Sequence, residues 1–218
     1  MTKLILAAIV LATPGALAAQ TPADSPLPTV VVRSYKHGLT AGQFATVRDL
    51  VGGILGQAGI GTSWRECWPD SPAPARVPPD CDRPLQHGEV ILRLVVAGRS
   101  HSIDDQSALG FALVDSQQGS GSVATVYMDR VVALARDGRS DTTDVLARAI
   151  AHEIGHLLIG TNRHSSRGLM RAVWSPAELR RGLAGDWRFS EEEAQMMRCA
   201  ARSRSIRATA EMLMADGR

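Results

Sequence analysis

The stretch DTTDVLARAIAHEIGHLLIG, residues 141–160, reads as one continuous helical pattern. Val145, Leu146, Ala149, Ile150, His156 and Leu157 recur with a 3.6-residue period, no Pro interrupts them, and Gly160 supplies a C-terminal stop. Within that helix lies His152-Glu153-Ile154-Gly155-His156. Side chains four apart on a helix differ by about 40° in azimuth, so the two imidazoles project from one face, one turn apart, and can share a tetrahedral Zn²⁺. Glu153 lies beside them, where a carboxylate reaches a metal-held water rather than the metal, the position a general base requires. Two histidines and a Glu on a helical face can also be ordinary partly buried polar groups. Leaving three such groups unpaired beside an apolar face is costly, however, and a metal removes that cost.

A catalytic zinc has three protein ligands and an open position. His164, shortly after Gly160, is the favoured third ligand, because a glycine with positive φ lets the chain reverse and bring a following residue back under the metal. Glu178 is the alternative, as in zinc peptidases that take a downstream Glu. Ser175-Pro176-Ala177-Glu178 already accounts for it as a helix cap. Asp186 comes third. His37, His87 and His101 have no partner spacing and read as surface residues.

Before this helix the pattern is mixed. Residues 29–33 (TVVVR) read as a strand and 41–55 as a helix with Phe44, Val47, Leu50, Val51 and Leu55 on one side. Residues 61–68, 89–96, 108–114 and 123–128 read as further strands, 116–122 (SQQGSGS) as a flexible loop, and 129–136 as a helical segment broken at Asp137-Gly138. After it, Ser175 with Glu178 and Ser190 with Glu193 each have the spacing of a capping box. Arg198, Arg202, Arg204 and Arg207 read as a solvated helix face and a frayed tail.

The 218 residues suit one ordinary domain, here 29–218, with an upper part 29–160 and a lower part 161–218. Net charge is +2 with the basic residues scattered, which makes no electrostatic case for nucleic acid as a partner. Residues 1–19 have the pattern of a secretory signal peptide: Lys3, an apolar stretch over 4–12, and a small-x-small site at Ala16-Leu17-Ala18. That stretch is about half of the roughly 20 residues a membrane span needs, so no stable membrane anchor is expected. Residues 20–28 then form a lead-in. Export, to periplasm or beyond the cell, permits a disulfide, and Cys67 with Cys81 would close a Pro-rich loop. Cys199 reads as a small buried apolar residue on a helix.

The segment HEIGHLLIGTNRHSSRGLM, residues 152–170, with the β-α-β-β-β-β-helix order before it, resembles the metzincin zinc metallopeptidases. The family pattern is H-E-x-x-H-x-x-G-x-x-H, followed by a turn with a Met beneath the zinc. The resemblance makes His152, His156 and His164 the metal ligands, Glu153 the general base, Gly160 the turn glycine and Met170 the turn methionine. Here Gly160 follows His156 by four residues and His164 follows Gly160 by four, so the loop is longer by two, and Asn162 stands at the third-ligand position by strict count. The resemblance implies an α+β fold: a twisted mixed β-sheet, an active-site helix and a small, mostly helical C-terminal subdomain. It further implies an exported endopeptidase that hydrolyses a peptide or protein substrate through a zinc-bound water activated by Glu153, with the strand at 123–128 as the sheet edge that pairs with substrate. Two rival functions are a gluzincin-like peptidase with Glu178 as ligand, and a zinc-containing binding domain without catalysis.

Overall fold

The computed structural model describes residues 26–35, 38–67, 78–96, 108–115 and 117–216. The signal-peptide pattern, most of the lead-in, His37, His101 and the Pro-rich loop between the two cysteines lie outside the described residues.

Five strands form one mixed sheet. Strand β1 (Thr29–Tyr35) pairs in parallel with β2 (Gly61–Glu66) on one side and β3 (Glu89–Val95) on the other. Strand β5 (Ser120–Tyr127) continues the parallel set beyond β3, and β4 (Gly110–Asp115) adds on antiparallel, giving the order β2-β1-β3-β5-β4. The parallel strands are rich in β-branched residues and bury Val30, Val32, Val90, Leu92 and Val126, as a sheet covered by helices requires.

Helix α1 (Ala41–Gln57) starts at a capping box between Thr40 and Gln43 and buries Phe44, Val47, Val51 and Leu55. A one-turn helix α2 (Pro79–Asp82) carries Cys81, which is bridged to Cys67 with Cα atoms 5.6 Å apart, as the sequence allowed. Helix α3 (Met128–Gly138) leads into α4 (Thr142–Ile159), capped by the Asp141 side chain and ended by Gly160 in the left-handed conformation at φ 77°. Helix α4 is the spine of the core: Val145 through Leu158, apart from the half-buried Arg148, is buried, and it packs against α1, α3, β5 and the C-terminal helix. Then come α5 (Pro176–Arg181), a 3-10 turn (Ala184–Trp187) and α6 (Glu191–Asp216). The result is α+β with a mixed sheet, a buried central helix and a helical C-terminal part, the class the sequence implied.

Four expectations are corrected. The strand at 123–128 is interior, because the chain after β4 turns back through 117–119 and sets β4, not β5, at the sheet edge. Within the expected flexible loop, Ser120, Gly121 and Ser122 are part of β5. Cys199 is exposed, on the outward side of α6. The arginines of α6 are not uniformly solvated either: Arg204 donates to the carbonyls of Gly121 at 2.6 Å and Leu157 at 2.9 Å, and Arg198 to Ala58 at 3.1 Å. Guanidiniums that find backbone carbonyls at the ends of α4 and α1 are drawn in along their long stems. Among the described residues no helix is long and apolar enough to cross a membrane.

Candidate metal centre

The i, i+4 spacing on α4 does what local geometry predicts: the Nε2 atoms of His152 and His156 lie 3.0 Å apart. His164 is brought in by the reversal after Gly160, and its Nε2 is 3.3 Å from that of His156. A Cβ on Gly160 would come within 2.0 Å of the Gly119 carbonyl oxygen, so the absence of a side chain here serves both the left-handed turn and the approach of the β4–β5 turn.

The orientation of the rings follows from their other nitrogens. His152 Nδ1 faces the Leu169 carbonyl at 2.9 Å, and His156 Nδ1 faces that of Thr161 at 2.7 Å. A carbonyl only accepts, so both Nδ1 atoms carry the proton and both Nε2 lone pairs are left to point at the shared space. Burial, aided by the neighbouring imidazoles, pushes His152 down to about 3; burial also lowers His156 and His164. The three rings are neutral at pH 7 and fit to ligate.

Glu153 is 5% exposed, and among the described residues its carboxylate has no hydrogen bond or ion pair. Burial raises its pKa to about 8. Three neutral imidazoles whose ligand atoms lie within 4.8 Å of one another, beside a carboxyl without a partner, form a donor set that suits zinc; nitrogens about 2.0 Å from a tetrahedral zinc sit about 3.3 Å apart. No other group of three possible ligands converges among the described residues. Glu178 is spent elsewhere: its carboxylate accepts from the Ser175 backbone N–H at 2.7 Å and hydroxyl at 2.8 Å, and lies 3.5 Å from Arg171 Nε. The capping reading of Glu178 is the observed one. Asp186 is in the 3-10 turn and does not join the cluster. His87 is on the surface, paired with Glu211 at 2.7 Å.

Met170 is buried beneath α4 with its sulfur against Gly155, where a Cβ would come within 2.8 Å of Sδ. The turn that holds it is tied in by Arg171, whose guanidinium donates to the carbonyls of Gly168 at 2.7 Å and Asp186 at 2.9 Å. Trp174 stands edge-on to His152, ring centres 5.7 Å apart, and edge-on to Trp187 in turn. The second capping box has a further use: Glu193 accepts from the Ser190 backbone at 2.7 Å with one carboxylate oxygen and from the Ser165 hydroxyl with the other, anchoring the residue after His164.

The histidines and Glu153 open onto a cleft of about 500 Å³ between β4 and the 171–174 segment. Gly110 of the edge strand passes over Glu153: a Cβ there would meet Glu153 Oε1 at 2.9 Å and the Thr125 carbonyl at 2.4 Å. Sequence reasoning missed Gly110, although a glycine inside a strand run is a signal of close approach. It also missed Glu193 as part of the site, since its role depends on a contact far along the chain.

No family model and no curated protein matches this chain. Among solved structures it is similar to metalloproteinase-II from Bacteroides fragilis, at 15% identity and a TM-score of 0.47, over 82% of this chain and 55% of that one. It is also similar to archaemetzincin (amzA) from Methanopyrus kandleri, at 12% identity and a TM-score of 0.47, over 80% of this chain and 95% of that one. The chain thus spans about half of the first of these proteins.

Proposed function

We propose that this protein is an exported zinc-dependent endopeptidase, with His152, His156 and His164 as metal ligands and Glu153 as general base. The observation that carries the reading is the convergence of three carbonyl-oriented imidazoles beside a carboxyl without a partner, at the floor of a cleft bordered by a sheet edge. Zinc held there supplies a Lewis acid for the substrate carbonyl and lowers the pKa of a water towards neutrality. In its ionised form, which a neighbouring divalent cation would favour over the burial-raised acid, Glu153 takes the proton of the attacking water and passes it to the leaving amine as the C–N bond breaks, so no covalent enzyme intermediate forms. Strand β4, with one side free of strand partners among the described residues, pairs with an extended substrate backbone; main-chain pairing needs no free terminus and suits internal cleavage. Trp174 and Val173 wall the pocket beyond the histidines and shape side-chain preference. The cleft lies where the parts 29–160 and 161–218 meet. Export is supported by the pattern of residues 1–19 and by the Cys67–Cys81 bridge, which an oxidising compartment preserves.

The test is hydrolysis of a quenched unstructured protein such as labelled casein, with Glu153→Gln alongside and zinc measured on both. The expected result is that both hold zinc and Glu153→Gln loses about 10²–10⁴ in rate. Two zinc-loaded proteins with no hydrolysis by either would favour a binding domain instead.

A further inference from the structure

A second cavity, of about 590 Å³, lies beside the distal half of β4. It meets the first along the edge strand, since Ala112 and Asn162 border both. The two cavities share a wall at the middle of β4, and the second extends inward over the starts of β3 and β5 to α6.

The ionic groups around this second cavity are unevenly satisfied. Glu89 on its floor is saturated by Arg33, Arg65 and Arg83. Asp115 at its rim accepts from the backbone N–H groups of Gln117 at 2.9 Å and Gln118 at 3.2 Å, and His87 pairs with Glu211. The cations from α6 lack such partners. Arg204 is half-buried, and its hydrogen bonds go to two neutral carbonyls, with no carboxylate in ion-pair range among the described residues. Arg207, one turn along at the mouth, is exposed and has no ion pair among the described residues. The Gly121 and Leu157 carbonyls, the latter at the end of α4, offset part of the cost of burying the Arg204 guanidinium but leave its formal charge unpaired, and a carboxylate entering the cavity would pair with it.

We propose that this cavity is a subsite for an acidic side chain of the bound peptide, recognised by Arg204 and Arg207. It rests on the peptidase reading for the peptide's presence in the groove, though not for the charge of the subsite. With the peptide antiparallel to β4 and Gly110 over Glu153, the stretch along Val114 and Asp115 precedes the scissile bond. Val114 and Asp115 lie four and five residues beyond Gly110 on β4, so the acidic residue falls about four or five positions before that bond.

The experiment uses fluorescent peptides that differ only in Glu, Gln or Lys at each of those positions. Their binding to zinc-loaded Glu153→Gln protein is followed by anisotropy, and their cleavage by the wild type is run in parallel. The Glu peptide is expected to bind at least about fivefold more tightly than the Lys peptide at one position, less so at high salt. Arg207→Glu in the same background inverts that ratio, and Arg204→Gln, with its melting temperature checked, reduces it. Equal affinities at every position, or a preference unchanged by Arg207→Glu, overturn the subsite. Cleavage without charge preference defeats the subsite and leaves the peptidase; charge-selective binding without cleavage does the reverse.

Discussion

Gly155, between the two histidines of α4, is in contact with Met170: a Cβ built on Gly155 would lie 2.8 Å from the methionine sulfur and 2.7 Å from the Phe189 ring. The turn beneath the site is thus seated directly on the helix that carries the ligands. Gly155→Ala should lower stability by about 1–3 kcal/mol through overpacking, seen as a fall in melting temperature. Met170→Leu, which keeps the volume, should retain bound zinc; outright metal loss would show that the sulfur does more than pack.

His164→Ala should weaken zinc binding by at least about a hundredfold, since removal of groups that merely orient ligands costs up to that much. Competition with a chromophoric chelator measures it. His87→Ala, on the surface, is the control, and full zinc retention by His164→Ala would exclude His164 as a ligand.

Gly110→Ala places a methyl against Glu153 and the Thr125 carbonyl. Zinc should stay while peptide hydrolysis falls by at least about tenfold, because the base is displaced and the edge strand lifted. Unchanged turnover would mean that β4 can yield without moving Glu153.

Glu193→Ala removes the anchor of Ser165 and one cap of α6. Zinc affinity should drop by about tenfold. Glu193→Gln, whose amide oxygen still accepts from the Ser190 backbone while its NH2 can donate to the Ser165 hydroxyl oxygen, should restore most of it, whereas loss of the cap alone would lower the melting temperature without changing zinc affinity.

Glu89 is 3% exposed; burial alone would raise its pKa, but the Gln86 N–H and the guanidiniums of Arg33 and Arg83 outweigh that and hold it below the ordinary value. A group depressed in the folded state stabilises fully above its unfolded pKa, about 4.3, and that contribution disappears as pH falls through the folded value. The wild type should therefore lose stability progressively below about pH 4.5, and Glu89→Gln should be less stable at pH 7 by about 3 kcal/mol with a flatter acid limb. Parallel acid limbs in thermal melts would remove Glu89 from this role.

The sequence by itself determined what depends on neighbours within a turn or two. The i, i+4 pair His152 and His156, the boxes at Ser175 and Ser190, the Gly160 stop and the β-branched strands are local geometry, and the structure has each of them. Tertiary structure decided the rest. That His164 joins the pair while Glu178 turns to its own cap depends on the reversal at Gly160 and on carbonyls at Thr161 and Leu169 reaching back to the imidazoles. The position of β4 outside β5, which sets Gly110 over Glu153, follows from strand pairing that no single run of residues encodes. Likewise, an arginine on a polar-looking helix becomes half-buried only because α6 crosses the end of α4, where the Leu157 carbonyl has no partner in its own helix.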